Sequence, residues 1–171
     1  GGKILFENQE LNRLPEEEMR AIRGNRISMI FQDPMMTLNP VLTIATQMTE
    51  TVLAHENVSK ADALDIALEK LKKVHIPSPE KRLRQYPHEC SGGMRQRIVI
   101  AIALLTNPGL IIADEPTTAL DVTIQAEITD LLMELCESEK MGLILITHDL
   151  GVVSQVTEKI VVMYAGKIVE S

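Results

Sequence analysis

Three short segments, ISMIF at 27–31, LIIA at 110–113 and LILIT at 143–147, are apolar at almost every position and rich in β-branched residues. A strand with one wet face alternates polar and apolar side chains, so runs like these predict strands buried on both faces of a parallel sheet. Parallel pairing needs a long crossover between strands, normally helical, and helical patterns separate the three runs. Aromatic side chains are limited to Phe6, Phe31, Tyr86 and Tyr164, with no Trp, so aliphatic residues and methionine must fill the core. At 171 residues, 45% hydrophobic and 24% charged, the chain is a folded domain or a domain with a small subdomain, not a disordered tail or a coiled-coil rod.

Punctuation along the chain supports this. GGKILFENQEL at 1–11 reads as a short strand and turn, and Pro15 with Glu16, Glu17 and Glu18 opens a helix that Gly24 ends. The two prolines of DPMMTLNP at 33–40 predict a loop without regular structure. Residues 42–73 form two amphipathic helices, the second capped by Ser59 with Asp62 three positions on and carrying Leu64, Ala67, Leu68 and Leu71 on one face. Pro77, Pro79 and Pro87 break the next stretch into a loop and a short helix at 80–85. The stretch 41–90 is therefore expected to be a helical subdomain inserted between 1–40 and 91–171.

Ser91-Gly92-Gly93 opens an apolar helix reaching about Thr106, and Asp121 caps a helix over 122–139 that Gly142 follows. A short helix near 149–156 and a strand KIVVMYA at 159–165 extend the alternation, which predicts an α/β fold with a parallel sheet.

The charge balance, 17 basic against 24 acidic residues for a net −7, argues against a nucleic-acid footprint. Cys90 and Cys136 lack the spacing of a zinc site or a disulfide framework. The longest apolar run, IVIAIALL at 98–105, falls far short of the ~20 residues of a membrane-spanning helix, so a membrane role must come through a partner.

Chemistry concentrates in LIIADEP at 110–116, where an apolar strand delivers Asp114 and Glu115 at its C-terminal end, the usual ligand edge of an open α/β sheet. Paired carboxylates there can hold Mg²⁺ and polarise a water, or can simply end a strand. Gln32 ends the ISMIF strand, His148 ends the LILIT strand, Ser91-Gly92-Gly93 opens a helix and Asp121 lies seven residues beyond Asp114. Taken singly, each has an ordinary alternative: a strand-end amide, a core imidazole, a helix cap.

In this order the segments resemble the nucleotide-binding subunit of ABC transporters. ISMIFQDP is similar to the Q-loop, CSGGMRQR to the signature motif, LIIADEP to the Walker B motif with its glutamate, TTALD to the D-loop and ITHD to the switch histidine. FQDPMMTLNP, YPHECSGGMRQR, ADEPTTALDVTIQAEI and ITHDLGVV resemble the oligopeptide, dipeptide and nickel importer branch more than sugar or amino-acid importers. Cys90 stands where that family usually has Leu, and Met94 where the wider superfamily has Gln.

The resemblance implies a P-loop NTPase (RecA-like) parallel core with an inserted helical subdomain, and ATP and Mg²⁺ as cofactors. It implies Asp114 as the metal residue, Glu115 as general base, Gln32 as sensor of metal and γ-phosphate, and His148 as γ-phosphate contact. Ser91, Gly92, Gly93 and Met94 would meet nucleotide held by an opposing subunit, with Asp121 at the dimer seam. Implied partners are transmembrane permease subunits, a second ATP-binding subunit in a homo- or heterodimer and, indirectly, a solute-binding protein; the chain itself would lie peripherally at the cytoplasmic face of the membrane. No nucleic-acid partner is expected. Helix 42–55 and the loop before it would meet the permease. The alternatives are a soluble ABC-type ATPase of DNA repair or translation and a non-catalytic interaction fragment.

A phosphate-cradling loop needs G-x-x-x-x-G-K-[ST]. Neither Gly2-Lys3 nor Gly166-Lys167 completes it, since Ile follows both. The chain therefore reads as a partial core, a segment of a longer protein, with little ATPase activity of its own. In the family the strand leading to that loop lies between the strands at 143–147 and 159–165. Without it an exposed edge is expected, closed by strand exchange or dimerisation or by different packing from about Gly151 onward.

Overall fold

The computed structural model describes residues 2–118, 120–149, 151, 157 and 159–170. An N-terminal hairpin, β1 (Leu5–Phe6) with β2 (Gln9–Glu10), precedes α1 (Glu16–Ile22) and β3 (Ile27–Ile30). Gly24 follows α1 with φ +72°, a left-handed turn at the position where the sequence ends that helix. The expected loop at 33–40 contains a turn of helix, α2 (Pro34–Thr37). Asp33 accepts the Met35 N–H as its cap, and Pro34 sits where a missing N–H is harmless, so the first proline starts regular structure here.

The two amphipathic helices are α3 (Ile44–His55) and α4 (Lys60–Lys73), capped by Thr43 and by the Ser59–Asp62 capping box. After α5 (Pro79–Leu83) and a tight turn at 87–89, Ser91 caps α6 (Gly92–Ala103). β4 (Leu110–Asp114), α7 (Val122–Glu139) and β5 (Gly142–Ile146) follow. Asp121 accepts the Ile124 N–H to start α7, as its sequence position predicts. The end of α7 is made by Lys140 at φ +53°; Gly142 instead begins β5, where a Cβ would stand 3.3 Å from Leu110.

β3, β4 and β5 form the predicted parallel sheet, in that spatial order. One face is buried through Ile30, Ile111 and Ala113 against Ile98, Val99 and Ile100 of α6 and Ile128, Leu131, Leu132 and Leu135 of α7. Ile44, Met48 and Val52 of α3 and Ala63, Ala67 and Leu71 of α4 continue the same core. Burial on both faces, expected from the unbroken apolar runs, does not hold: Met29, Ile144 and Ile146 are 40%, 49% and 46% exposed on strands of this sheet. Nor does the last strand join it. β6 (Val162–Tyr164) pairs antiparallel with β7 (Lys167–Glu170), and among the described residues β5 has a neighbour on one side only. The helix expected near 149–156 falls largely outside the described residues.

Polar ties fasten the helices to the sheet. Buried Lys70 donates to Asn107 Oδ1 at 2.6 Å, in the turn leading to β4, and its burial, with Lys73 nearby, pushes its pKa down. Lys73 meets Glu139 at 2.6 Å and Arg97 meets Glu127 at 2.9 Å, joining α4 and α6 to α7. At the start of α6, a Cβ added to Gly93 would lie 2.9 Å from Ile124 Cγ2, closer than carbon atoms pack. Gly93→Ala should therefore destabilise the fold by about 1–3 kcal/mol through overpacking. Urea unfolding midpoints check this, and the loss should shrink in an Ile124→Ala background.

Candidate functional site

The C-terminal ends of the three parallel strands bring together residues far apart in sequence. Phe31 and Gln32 follow β3; Asp114 closes β4 with Glu115 just after; Thr147 and His148 follow β5. Glu115 N–H donates to the Ile146 carbonyl at 2.9 Å, carrying the ladder one residue past the end of β4. Its φ of +45° is left-handed, a conformation that disfavours a side chain and is held here by the surrounding contacts.

The Glu115 carboxylate is the hub. Oε2 accepts Gln32 Nε2 at 2.9 Å and Thr118 Oγ1 at 2.8 Å, while His148 Nδ1 lies 3.2 Å from Oε1. The hydroxyl of Thr118 first, and the His148 ring after it, hold this carboxyl below the usual carboxylate range, so it is charged at neutral pH. Glu115 is half-buried, whereas the His148 side chain is 73% exposed and free to turn toward a ligand. Among the described residues Asp114 accepts no hydrogen bond at its carboxylate and Gln32 none at its amide oxygen, leaving both acceptors open.

Sequence reasoning named Gln32, Asp114, Glu115 and His148 and missed Thr118. The available signal was a hydroxyl three residues beyond the glutamate in EPTT.

The remaining candidates form a second group. Ser91 Oγ accepts the Met94 N–H at 3.3 Å, so the serine caps α6 whatever else it does. A Cβ on Gly92 would meet Leu120 at 3.4 Å and one on Gly93 would meet Ile124, so both glycines face the start of α7. Asp121 caps that helix. Among the described residues no hydrogen bond joins Ser91, Gly92, Gly93, Met94 or Asp121 to the Glu115 cluster. Cys90, in the place of the usual Leu, is 3% exposed within the core, and burial raises its thiol pKa; the substitution is absorbed by packing.

Residues 1–118 match the ABC transporter family. The Bacillus subtilis dipeptide transport ATP-binding protein DppD is 58% identical over 169 residues, covering 99% of this chain and 50% of its own length. The oligopeptide transport ATP-binding protein OppD of the same organism is 56% identical over 170 residues, covering 99% and 48%. The chain thus spans about half the length of the curated relatives it matches. Among solved structures, the dimeric ATP-binding cassette MJ0796 in a post-hydrolysis state bound to ADP and Pi superposes with a TM-score of 0.84 at 30% identity, covering 99% of this chain and 72% of that one. The residues gathered at the strand ends therefore sit in the sheet of a P-loop NTPase fold, and the chain belongs to the ABC transporter family.

Proposed function

We propose that this chain supplies the hydrolytic half-site of an ATP-driven importer of dipeptides, oligopeptides or a related solute. The observation that carries the reading is the convergence of Gln32 and His148 on the Glu115 carboxylate at the ends of three parallel strands. Names of relatives such as the dipeptide transport protein support the solute class. The organisation proposed is a nucleotide-binding core over 1–40 and 91–171 with a helical subdomain at 41–90.

Asp114 and Gln32 offer one carboxylate and one amide oxygen, both open, which are hard donors of the kind Mg²⁺ takes while keeping waters and phosphate oxygens in its shell. The residues present therefore fit Mg²⁺. When bound, Mg-ATP supplies the phosphoryl centre and the charge that neutralises it. Glu115 takes a proton from the attacking water; His148 and Gln32 orient water and phosphate and stop occupying Glu115 once they do so. Ser91 and the N–H groups at the start of α6, with Gly92, Gly93 and Met94, present a positive helix end to nucleotide held by the opposing subunit, and Asp121 lies at the seam between subunits.

An open groove of about 490 Å³ lies between α2, α3 and α6, lined by Thr37, Asn39, Leu42, Glu50, Thr51 and Ala54 among others. Gln47 shapes its wall, accepting the Asn39 N–H at 2.7 Å and donating to the Asn39 and Leu42 carbonyls at 3.0 Å. This groove begins five residues past Gln32, which suits a docking surface for a transmembrane permease subunit that reports on the site through the 32–39 segment. No described helix is long and apolar enough to cross a membrane, so placement at the cytoplasmic face rests on that partner. The second ATP-binding subunit, identical or homologous, and an indirectly acting solute-binding protein complete the assembly.

Residues 1–171 alone should bind Mg-ATP without micromolar affinity, since the sequence contains no G-x-x-x-x-G-K-[ST]; calorimetry tests this, and tight binding with turnover would overturn it. In the whole protein, Glu115→Gln should slow hydrolysis by about 10²- to 10⁴-fold and retain bound ATP. Mixed dimers carrying Ser91→Arg on one subunit should lose turnover at the partner's nucleotide; loss confined to the altered subunit would refute the trans assignment. A Thr51→Cys variant should cross-link to a permease subunit in the assembled transporter. A functional transporter that gives no adduct there, but one from a cysteine at Glu134 on α7, would displace the groove as docking surface.

A further inference from the structure

Thr118 differs from the other partners of Glu115 in how it is held. Gln32 and His148 reach the carboxylate from neighbouring strands on exposed side chains, 83 and 33 residues away in sequence. Thr118 belongs to the same turn. Its N–H donates to the Glu115 carbonyl at 3.3 Å and its hydroxyl to Oε2 at 2.8 Å, while Pro116 between them is buried. The Thr117 carbonyl accepts both Leu120 N–H and Gln125 Nε2 at 3.0 Å, which pins the turn to the start of α7. The hydroxyl is thus carried on a turn that its own N–H and the start of α7 hold in place.

Each carboxylate oxygen has about two lone-pair directions. Among the described residues, Oε2 has both filled, by Thr118 and Gln32, whereas Oε1 has the single contact with His148. We propose that Thr118 is a positioning residue for Glu115: it holds Oε2 through the whole cycle and leaves Oε1 as the oxygen that accepts the proton. This rests on the reading of Glu115 as general base. When Gln32 and His148 turn to nucleotide, Thr118 is, among the described residues, the side-chain donor that stays: Oε2 keeps a hydrogen bond and Oε1 has none, so Oε1 is the more basic oxygen and the carboxylate does not swing. The water proton bonds to Oε1, and the electron pair of the broken O–H bond stays on the oxygen that attacks.

The test uses the whole protein assembled with its partners, comparing Thr118→Val, Thr118→Ala and Thr118→Ser with Glu115→Gln. Thr118→Val and Thr118→Ala should lower kcat by about 10- to 100-fold with KM for ATP little changed, the size expected when a group supporting a reactive side chain is lost. Thr118→Ser, which keeps the hydroxyl, should recover most of the rate. ATP trapped in the dimer, read by filter retention, should persist longer in Thr118→Val than in the unaltered protein, which separates slowed hydrolysis from lost binding. Where Thr118→Val fails to fold, the alanine and serine pair decides. Unaltered kcat in the variants lacking the hydroxyl beside an inactive Glu115→Gln, or failure of serine to recover activity, overturns the role of Thr118 alone. Full turnover in Glu115→Gln removes the general base itself, and Thr118 with it.

Discussion

Parallel register is the constraint on which the site depends. Ile30, Ala113 and Leu145 lie side by side across the sheet, and Asp114 opposes Ile146. From that row Gln32 and Glu115 are each two residues onward, just past the ends of their strands, and His148 is three onward after Thr147. A slip of one residue in either ladder would shift one strand end by about 3.3 Å against its neighbour and carry its side chain out of hydrogen-bond reach of the Glu115 carboxylate. The hydrogen bond from Glu115 N–H to Ile146 fixes the last rung and leaves the side chains of three strands within reach of one carboxylate.

Much of this was legible in the sequence because short apolar runs ending in polar residues encode both strand and strand end. Ser59 with Asp62, Asp121 and the 122–139 helix were readable because caps leave a chemical mark at a fixed spacing. What escaped reading depends on long-range geometry. Periodicity cannot tell a strand covered on both faces from one covered on a single face, so the exposure of Met29, Ile144 and Ile146 was hidden, as was the choice of β6 to pair with β7. Pro34 was misread because proline breaks a helix from within and begins one from its first turn. Thr118 was passed over because a hydroxyl three residues beyond a glutamate is a weak signal until the turn is known to bring it within 2.8 Å of the carboxylate.

Several residues of the recognisable motifs also carry structural duties. Ser91 and Asp121 each cap the helix next in the chain, and Gly93 is small where Ile124 needs room. Retention of these residues does not by itself distinguish a part in nucleotide chemistry from a part in joining α6 to α7. Experiments on them need a stability measurement beside the functional one, since truncating a cap alone costs about 1 kcal/mol.

The left-handed backbone of Glu115 has a genetic corollary. A side chain held at φ +45° strains the main chain by an amount of order 1 kcal/mol, which Gly or Asn at that position would relax. The strain is offset in part by the three side-chain hydrogen bonds that the carboxylate makes with Gln32, Thr118 and His148. With Glu115 as the proposed general base, alleles that replace it with Gly or Asn would encode subunits that are inactive while relieved of that backbone strain. In the proposed dimer such subunits would compete for places and act as dominant negatives instead of disappearing by degradation.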